Sequence, residues 1–126
     1  MTGAASGIGR ASAAALVADG CKVALWDIAP EVVTVADGLG MPGAAVDVCD
    51  TAAMQSAIDA ADEELGGIDG LVHAAGRVAT EPVGAYTQES WDATTPRNQA
   101  GTSAYAHERG SFFSLPTLPH NAVLAT

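Results

Sequence analysis

Cationic side chains are scarce: five basic residues stand against 15 acidic ones, Lys22 is the only lysine, and the formal charge is -10. Nucleic acid and anionic membrane surfaces need clustered cations, so neither is an expected partner. Cysteine is nearly absent as well. Cys21 and Cys49 show no CxxC or Cys/His spacing, which predicts two reduced thiols of a cytoplasmic protein rather than a disulfide framework or a metal site. No apolar run reaches twenty residues, so no membrane span is expected. The first twenty residues superficially mimic a signal peptide through Ala11 to Ala18, but glycines come first and the only cation is Arg10. Large apolar residues are also few. Alanine, with 27 copies, inflates the 48% hydrophobic content, while Leu, Ile, Val and Phe total 25. A chain of 126 residues with that composition predicts one domain with a thin core and marginal stability.

Composition changes near Pro96. Residues 1–95 hold 14 of the 15 acidic side chains, whereas 96–126 contain Pro96, Pro116, Pro119 and both phenylalanines without a defensible period. The first segment reads as a partial dinucleotide-binding domain and the second as an irregular or disordered tail. Within the first, Lys22 to Asp27 is a short apolar run between Gly20 and Pro30 that suits a buried strand. Ala44 to Val48 and Ile68 to Ala74 are two further strand candidates. Met54, Ala57, Ile58, Ala61 and Leu65 recur at helical spacing, opposite Asp59, Asp62, Glu63 and Glu64, with Gly66 and Gly67 as the stop. Ile8 to Asp19 is a second helix, ended by Gly20. Strands alternating with helices of this length predict parallel βαβ units, hence an α/β fold with a doubly wound sheet.

The most informative segment is Thr2-Gly-Ala-Ala-Ser-Gly-Ile-Gly9, which runs into the first helix. Glycines remove the Cβ atoms that keep a pyrophosphate off the backbone, and a helix start offers free N–H groups and a positive dipole end. Phosphate binding is the functional reading, and an ordinary glycine-rich turn is the alternative. Asp27 ends the next strand 18 residues past Gly9. A carboxylate at that interval can accept hydrogen bonds from both ribose hydroxyls of an adenosine and repels a 2'-phosphate. Asp27 and Ile28, Asp47 and Val48, and His73 to Gly76 fall at the ends of successive strands, where open α/β sheets place their ligands.

These segments together resemble the short-chain dehydrogenase/reductase family. The glycine loop is similar to the family's TGxxxGxG, Asp47-Val48 to its adenine-contacting DV pair, and His73-Ala-Ala-Gly76 to its NAAG with His for Asn. Trp91-Asp92 followed by Asn98 and Gly101 resembles the active-site helix ending in NxxG. The resemblance implies a Rossmann-type doubly wound parallel sheet. It also implies hydride transfer between NAD(H) and an alcohol or ketone. Gly3, Ser6, Gly7, Ile8 and Gly9 would cradle the phosphates. Asp27 and Ile28 would meet the adenosine, Asp47 and Val48 the adenine rim, and His73, Ala74, Ala75 and Gly76 the cofactor along the strand ends. Asp27 and Ser6 favour NAD over NADP. Members assemble as dimers or tetramers through helices, so an altered homo-oligomer is implied.

The family's chemistry needs a Tyr as acid/base, a Lys to lower its pKa, a Ser and an Asn. Free tyrosine, with a pKa near 10, is a poor base at neutral pH without a neighbouring cation. The sole lysine falls in the strand before Asp27, so no Tyr-xxx-Lys pair exists, and Asn98 alone carries over from the catalytic set. Tyr105 to Arg109 mimics the pair but follows Asn98 too closely for the strand that should intervene. Only Met1 and Thr2 precede the loop, so the first strand and the C-terminal half of the sheet are expected to be missing and the sheet split. The expectation is thus a truncated or mis-framed copy of a longer dehydrogenase with impaired turnover; a non-catalytic nucleotide-binding or interaction fragment is the alternative.

Overall fold

The computed structural model describes residues 1–78, 80 and 82–109, and for Val83 and residues 100–109 the backbone alone. Helix α1 spans Gly7–Ala18, strand β1 Leu25–Asp27, helix α2 Glu31–Leu39, strand β2 Gly43–Ala45, helix α3 Thr51–Leu65 and helix α4 Gln88–Arg109. A single 3-10 turn, Val83–Ala85, precedes α4. The strands pair in parallel with Leu25, Trp26 and Asp27 opposite Gly43, Ala44 and Ala45. Two of the three expected strands are therefore present, but shorter than 22–27 and 44–48. Helix α3 begins three residues before the periodic apolar positions because Asp50 caps it, accepting from the amides of Ala52 (3.1 Å) and Ala53 (3.0 Å).

The expected strand over 68–74 does not form; only Val72 and His73 join the sheet, through a parallel bridge between His73 and Thr2. Thr2 also bridges Trp26. This corrects the expectation of a split sheet. Trp26 N–H donates to Met1 O (2.8 Å) and Ala4 N–H to Trp26 O (3.2 Å). On the opposite side Thr2 N–H donates to Val72 O (3.0 Å) and Ala74 N–H to Thr2 O (3.3 Å). Two residues thus occupy the central position, and the spatial order runs 72–73, 1–2, β1, β2. Met1 and Thr2 are buried, which removes their backbone groups from water and makes these bonds worth keeping.

Alternation along the chain into β1 builds a core on each face of the sheet. Val23 and Leu25 pack with Met1, Ala4, Ala13, Val32 and Ala36, whereas Ala24 and Trp26 pack with Val46, Val48, Met54 and Ala61. Helices α1 and α2 thereby cover one face and α3 the other, as a doubly wound sheet requires. Leu25 and Val32 are fully buried, each contributing about 1.5–3 kcal/mol of apolar transfer. Gly43 lets α2 settle onto β2, since a Cβ there would overlap the Ala36 side chain.

Helix α2 was not expected from the sequence. Val32, Val33 and Val35 read as strand formers, yet Glu31 in the first turn and Gly40 as a left-handed C-cap (φ 66°) fix the helix ends. The irregular tail expected from 96 onward is also corrected, since α4 runs through Pro96 to Arg109. Pro96 cannot donate to the ladder. Thr94 Oγ1 instead adds a bond to Ser90 O (2.8 Å) beside the break. Residues 110–126 of the expected tail lie outside the described residues.

Candidate cofactor site

The glycine loop is shaped by two collisions that side chains would cause. Gly3 has φ 68°, and a Cβ on it would lie 2.5 Å from Ala74 C and 2.6 Å from Ala75 N. A Cβ on Gly9 would overlap Gly3 O. These glycines let the loop fold onto the strand end at Ala74 and let α1 start directly beneath it. Gly7 differs: it has φ 53°, and the space its Cβ would occupy is open. Ser6 precedes α1 in extended conformation with no side-chain cap bond. The first helical bond runs from Arg10 N–H to Ser6 O (3.1 Å), so the amides of Gly7, Ile8 and Gly9 have no partner within the helix. That cluster of amides lies at the positive end of the α1 dipole.

Asp27 joins this loop directly. Its Oδ2 accepts from Ala5 N–H in the loop (2.9 Å), and its Oδ1 accepts from Ala29 N–H (3.0 Å). Each oxygen keeps a lone pair for another donor, and the carboxylate is held in a single orientation. Ile28 stands beside it, 60% exposed. Val46 N–H donates to Asp27 O (2.7 Å), which brings the following Asp47 alongside. Asp47 Oδ1 accepts from Cys49 N–H (2.9 Å). Partial desolvation and then the Asp47 carboxylate push the Cys49 thiol up, away from a reactive thiolate. The Val48 side chain is buried against Met54 and serves the core.

At the third strand end, Thr2 is the organising residue, one that sequence reading quoted only as part of the motif. Its Oγ1 lies 2.8 Å from His73 Nδ1 and accepts from Ala75 N–H (3.3 Å). Thr2 is fully buried, so its hydroxyl and His73 Nδ1 satisfy one another away from water. His73 Nε2 is buried and has no hydrogen-bond partner among the described residues. His73 is therefore held by a hydroxyl rather than by the backbone. Asn98, from α4, accepts from Arg77 N–H through Oδ1 (2.9 Å) and donates to Arg77 O through Nδ2 (3.2 Å). A Cβ on Gly76 would sit 3.0 Å from that Oδ1. Loop, Asp27, Asp47, His73 to Gly76 and Asn98 thus share the C-terminal end of the sheet, while Lys22 lies at the other end, beside the start of β1.

A family model described as enoyl-(acyl carrier protein) reductase matches residues 3–114. The chain is 40% identical over 108 residues to D-threitol dehydrogenase of Mycolicibacterium smegmatis, a match covering 81% of this chain and 42% of that protein. The chain belongs to the short-chain dehydrogenase/reductase family. Galactitol 2-dehydrogenase of Agrobacterium fabrum is 39% identical over 104 residues, covering 80% of this chain and 41% of its own. A crystal structure of a 3-ketoacyl-ACP reductase from Sinorhizobium meliloti superposes with TM-score 0.76 at 35% identity, covering 86% of this chain and 45% of that one. A 3-ketoacyl-(acyl-carrier-protein) reductase from Brucella melitensis complexed with NADH superposes with TM-score 0.78 at 26% identity, covering 85% and 46%. This short-chain dehydrogenase/reductase chain therefore spans about two fifths of the length of the curated relatives it matches. The fold it shares with the solved members is an incomplete Rossmann-type domain, and its relatives are dehydrogenases and reductases. Among the described residues no group of His, Cys, Asp and Glu is placed to hold a metal, and no helix is long and apolar enough to cross a membrane.

Proposed function

We propose that this chain binds an adenine dinucleotide, NAD(H) in preference to NADP(H), as the cofactor-binding part of an oxidoreductase acting on an alcohol or ketone. The observation that carries this reading is the 2.9 Å bond from Ala5 N–H to Asp27 Oδ2, which couples the phosphate loop to the ribose-binding carboxylate. Open space at Gly7 and unpartnered amides at Gly7 to Gly9 fit a pyrophosphate with Ser6 at its rim. Asp27 holds the ribose hydroxyls, and its charge repels a 2'-phosphate. Ile28 and Asp47 flank the adenine, Val48 supports that edge from the core, and His73, Ala74, Ala75 and Gly76 border the cofactor at the neighbouring strand end. When bound, the nicotinamide supplies the hydride acceptor or donor. Asn98 enters this reading by fixing the Arg77 turn, since both ends of its amide are bonded there.

The catalytic acid/base pair is what the 126 residues lack. Lys22 is the only ammonium-bearing side chain and lies at the far end of the strands, and Tyr86 packs edge-on against Trp91 with ring centroids 6.4 Å apart. That geometry favours the second reading for the chain by itself, a nucleotide-binding fragment with little or no turnover. Thermal unfolding with NAD, NADP and ADP-ribose tests the first part, and NADH oxidation with small ketones the second. NAD and ADP-ribose should raise the midpoint alike and NADP much less, because a ligand bound only by the folded state stabilises it. Equal shifts from NADP, or none from any nucleotide, would remove the basis of the proposal.

A further inference from the structure

The methionines differ in what surrounds the sulfur. Met54 packs with Trp26 in the core on the α3 side of the sheet and is 3% exposed. Met41 is only half-buried, at the junction of α2 and β2. Its backbone is pinned on both sides: Gly40 (φ 66°) caps α2, Met41 N–H donates back to Ala36 O (3.0 Å), and Pro42 O receives Leu25 N–H (2.9 Å) from β1. The side chain serves as an acceptor. Its Sδ takes the backbone N–H of Val23 at 3.4 Å.

The register of the sheet explains this bond. Parallel pairing advances two residues on each strand per rung, so the rung before Leu25 to Pro42 would join Val23 N–H to Gly40 C=O. Gly40 is instead turned into the left-handed cap, and Val23 N–H meets the thioether. Val23 is buried, so its amide has little water to turn to, and the sulfur supplies the acceptor that the ladder lacks. A thioether carries two lone pairs. One is committed to Val23 N–H, which leaves the other for chemistry.

We propose that Met41 is a site of reversible oxidation by hydroperoxides, with oxygen entering through the lone pair that Val23 does not engage, so that the folded chain yields one sulfoxide epimer. The free lone pair attacks a peroxide oxygen, a sulfur–oxygen bond forms and the O–O bond breaks. The leaving hydroxide or alkoxide takes the proton of the transferred hydroxyl and departs as water or alcohol. Sulfur loses two electrons and the peroxide gains them. The sulfoxide sulfur is electron-poor and ceases to accept from Val23, and its oxygen brings a polar group to a side chain that packs against the core of α1 and α2. Oxidation thereby loosens the entry to β1 and the end of α2, at the opposite end of the strands from the glycine loop. It acts on stability and uses none of the nucleotide-site residues.

The test adds dilute hydrogen peroxide to the folded chain and follows the peptides carrying Met41 and Met54 by mass spectrometry, with the Met41 sulfoxide epimers separated chromatographically. Met41 is expected to oxidise about tenfold faster than Met54 and to give one epimer in large excess, whereas the chain unfolded in urea gives roughly equal epimers. Only one of the two epimer-specific methionine sulfoxide reductases should then restore the thioether. Oxidation should quicken hydrogen exchange at the Val23 amide by about tenfold and lower the thermal midpoint. Met41→Leu keeps Cys21 and Cys49 and should show neither response to peroxide, which separates the thioether from the thiols. The proposal is overturned if Met54 oxidises as fast as Met41, if the folded chain gives the two epimers equally, or if exchange at Val23 is unchanged or slowed.

Discussion

Replacing Thr2 by Val keeps the shape of a fully buried side chain and removes only its hydroxyl. Two groups then lose their partner, His73 Nδ1 at 2.8 Å and Ala75 N–H at 3.3 Å. A buried polar group left unsatisfied costs about 1–3 kcal/mol, and the longer Ala75 bond counts at the low end, so the pair comes to about 2–4 kcal/mol. Native domains are stable by about 5–15 kcal/mol, and the thin core places this one toward the bottom of that range. Thr2→Val should therefore lower the thermal midpoint by about 10 °C, and Thr2→Ser, which keeps the hydroxyl, by much less. Urea unfolding followed by circular dichroism measures both. The double variant Thr2→Val with His73→Leu should cost less than the sum of the two single changes, because the orphaned nitrogen is removed with its partner. A loss below about 0.5 kcal/mol for Thr2→Val, or equal losses for Val and Ser, would refute the role assigned to the hydroxyl.

Gly3→Ala should destabilise by at least about 1–2 kcal/mol from its positive φ alone, and further by pushing Ala74 and Ala75 out of place, which urea midpoints will show. Gly7→Ala meets no neighbour and should cost only the φ strain, while weakening NAD binding. The Met1 amino group has a folded pKa near 5 against 8.0 unfolded, so the unfolded chain binds more protons between these values. Stability should then rise from pH 5 to pH 8, by about 4 kcal/mol at most, and N-terminal acetylation should flatten the profile. Asp27→Asn keeps one acceptor oxygen for Ala5 or Ala29 and should cost about 1–2 kcal/mol in stability, while narrowing the preference for NAD over NADP in calorimetric titrations.

The shape of the glycine loop and its link to Asp27 were legible because their residues are chosen for backbone reasons. Gly3 and Gly9 sit where a Cβ would strike backbone, and Asp27 sits where a strand end meets a helix start, so residue type and position carry the geometry. Helix α3 was equally plain, since Met54 and Ala61 are buried on a periodic face. Helix α2 was hidden by β-branched Val32, Val33 and Val35, whose intrinsic preference is overridden by packing on β1 and β2. Ile68 to Ala74 looked like a strand because it is apolar, but strand pairing is confined to Val72 to Ala74, which meet Thr2. The role of Thr2 itself was out of reach of pattern reading: it depends on His73, 71 residues away in the chain. Residues 96 to 109 read as irregular because Pro96 is followed by no apolar period, yet α4 runs through Pro96 to Arg109.

The central claim is that the Gly7 to Gly9 amides and the Asp27 carboxylate bind one adenosine diphosphate between them. A crystal structure of the chain grown with NAD tests this most directly. The account predicts pyrophosphate oxygens within about 3 Å of those amides and ribose hydroxyls on Asp27. A nucleotide bound elsewhere, or a ribose turned away from Asp27 while the loop is occupied, would contradict it.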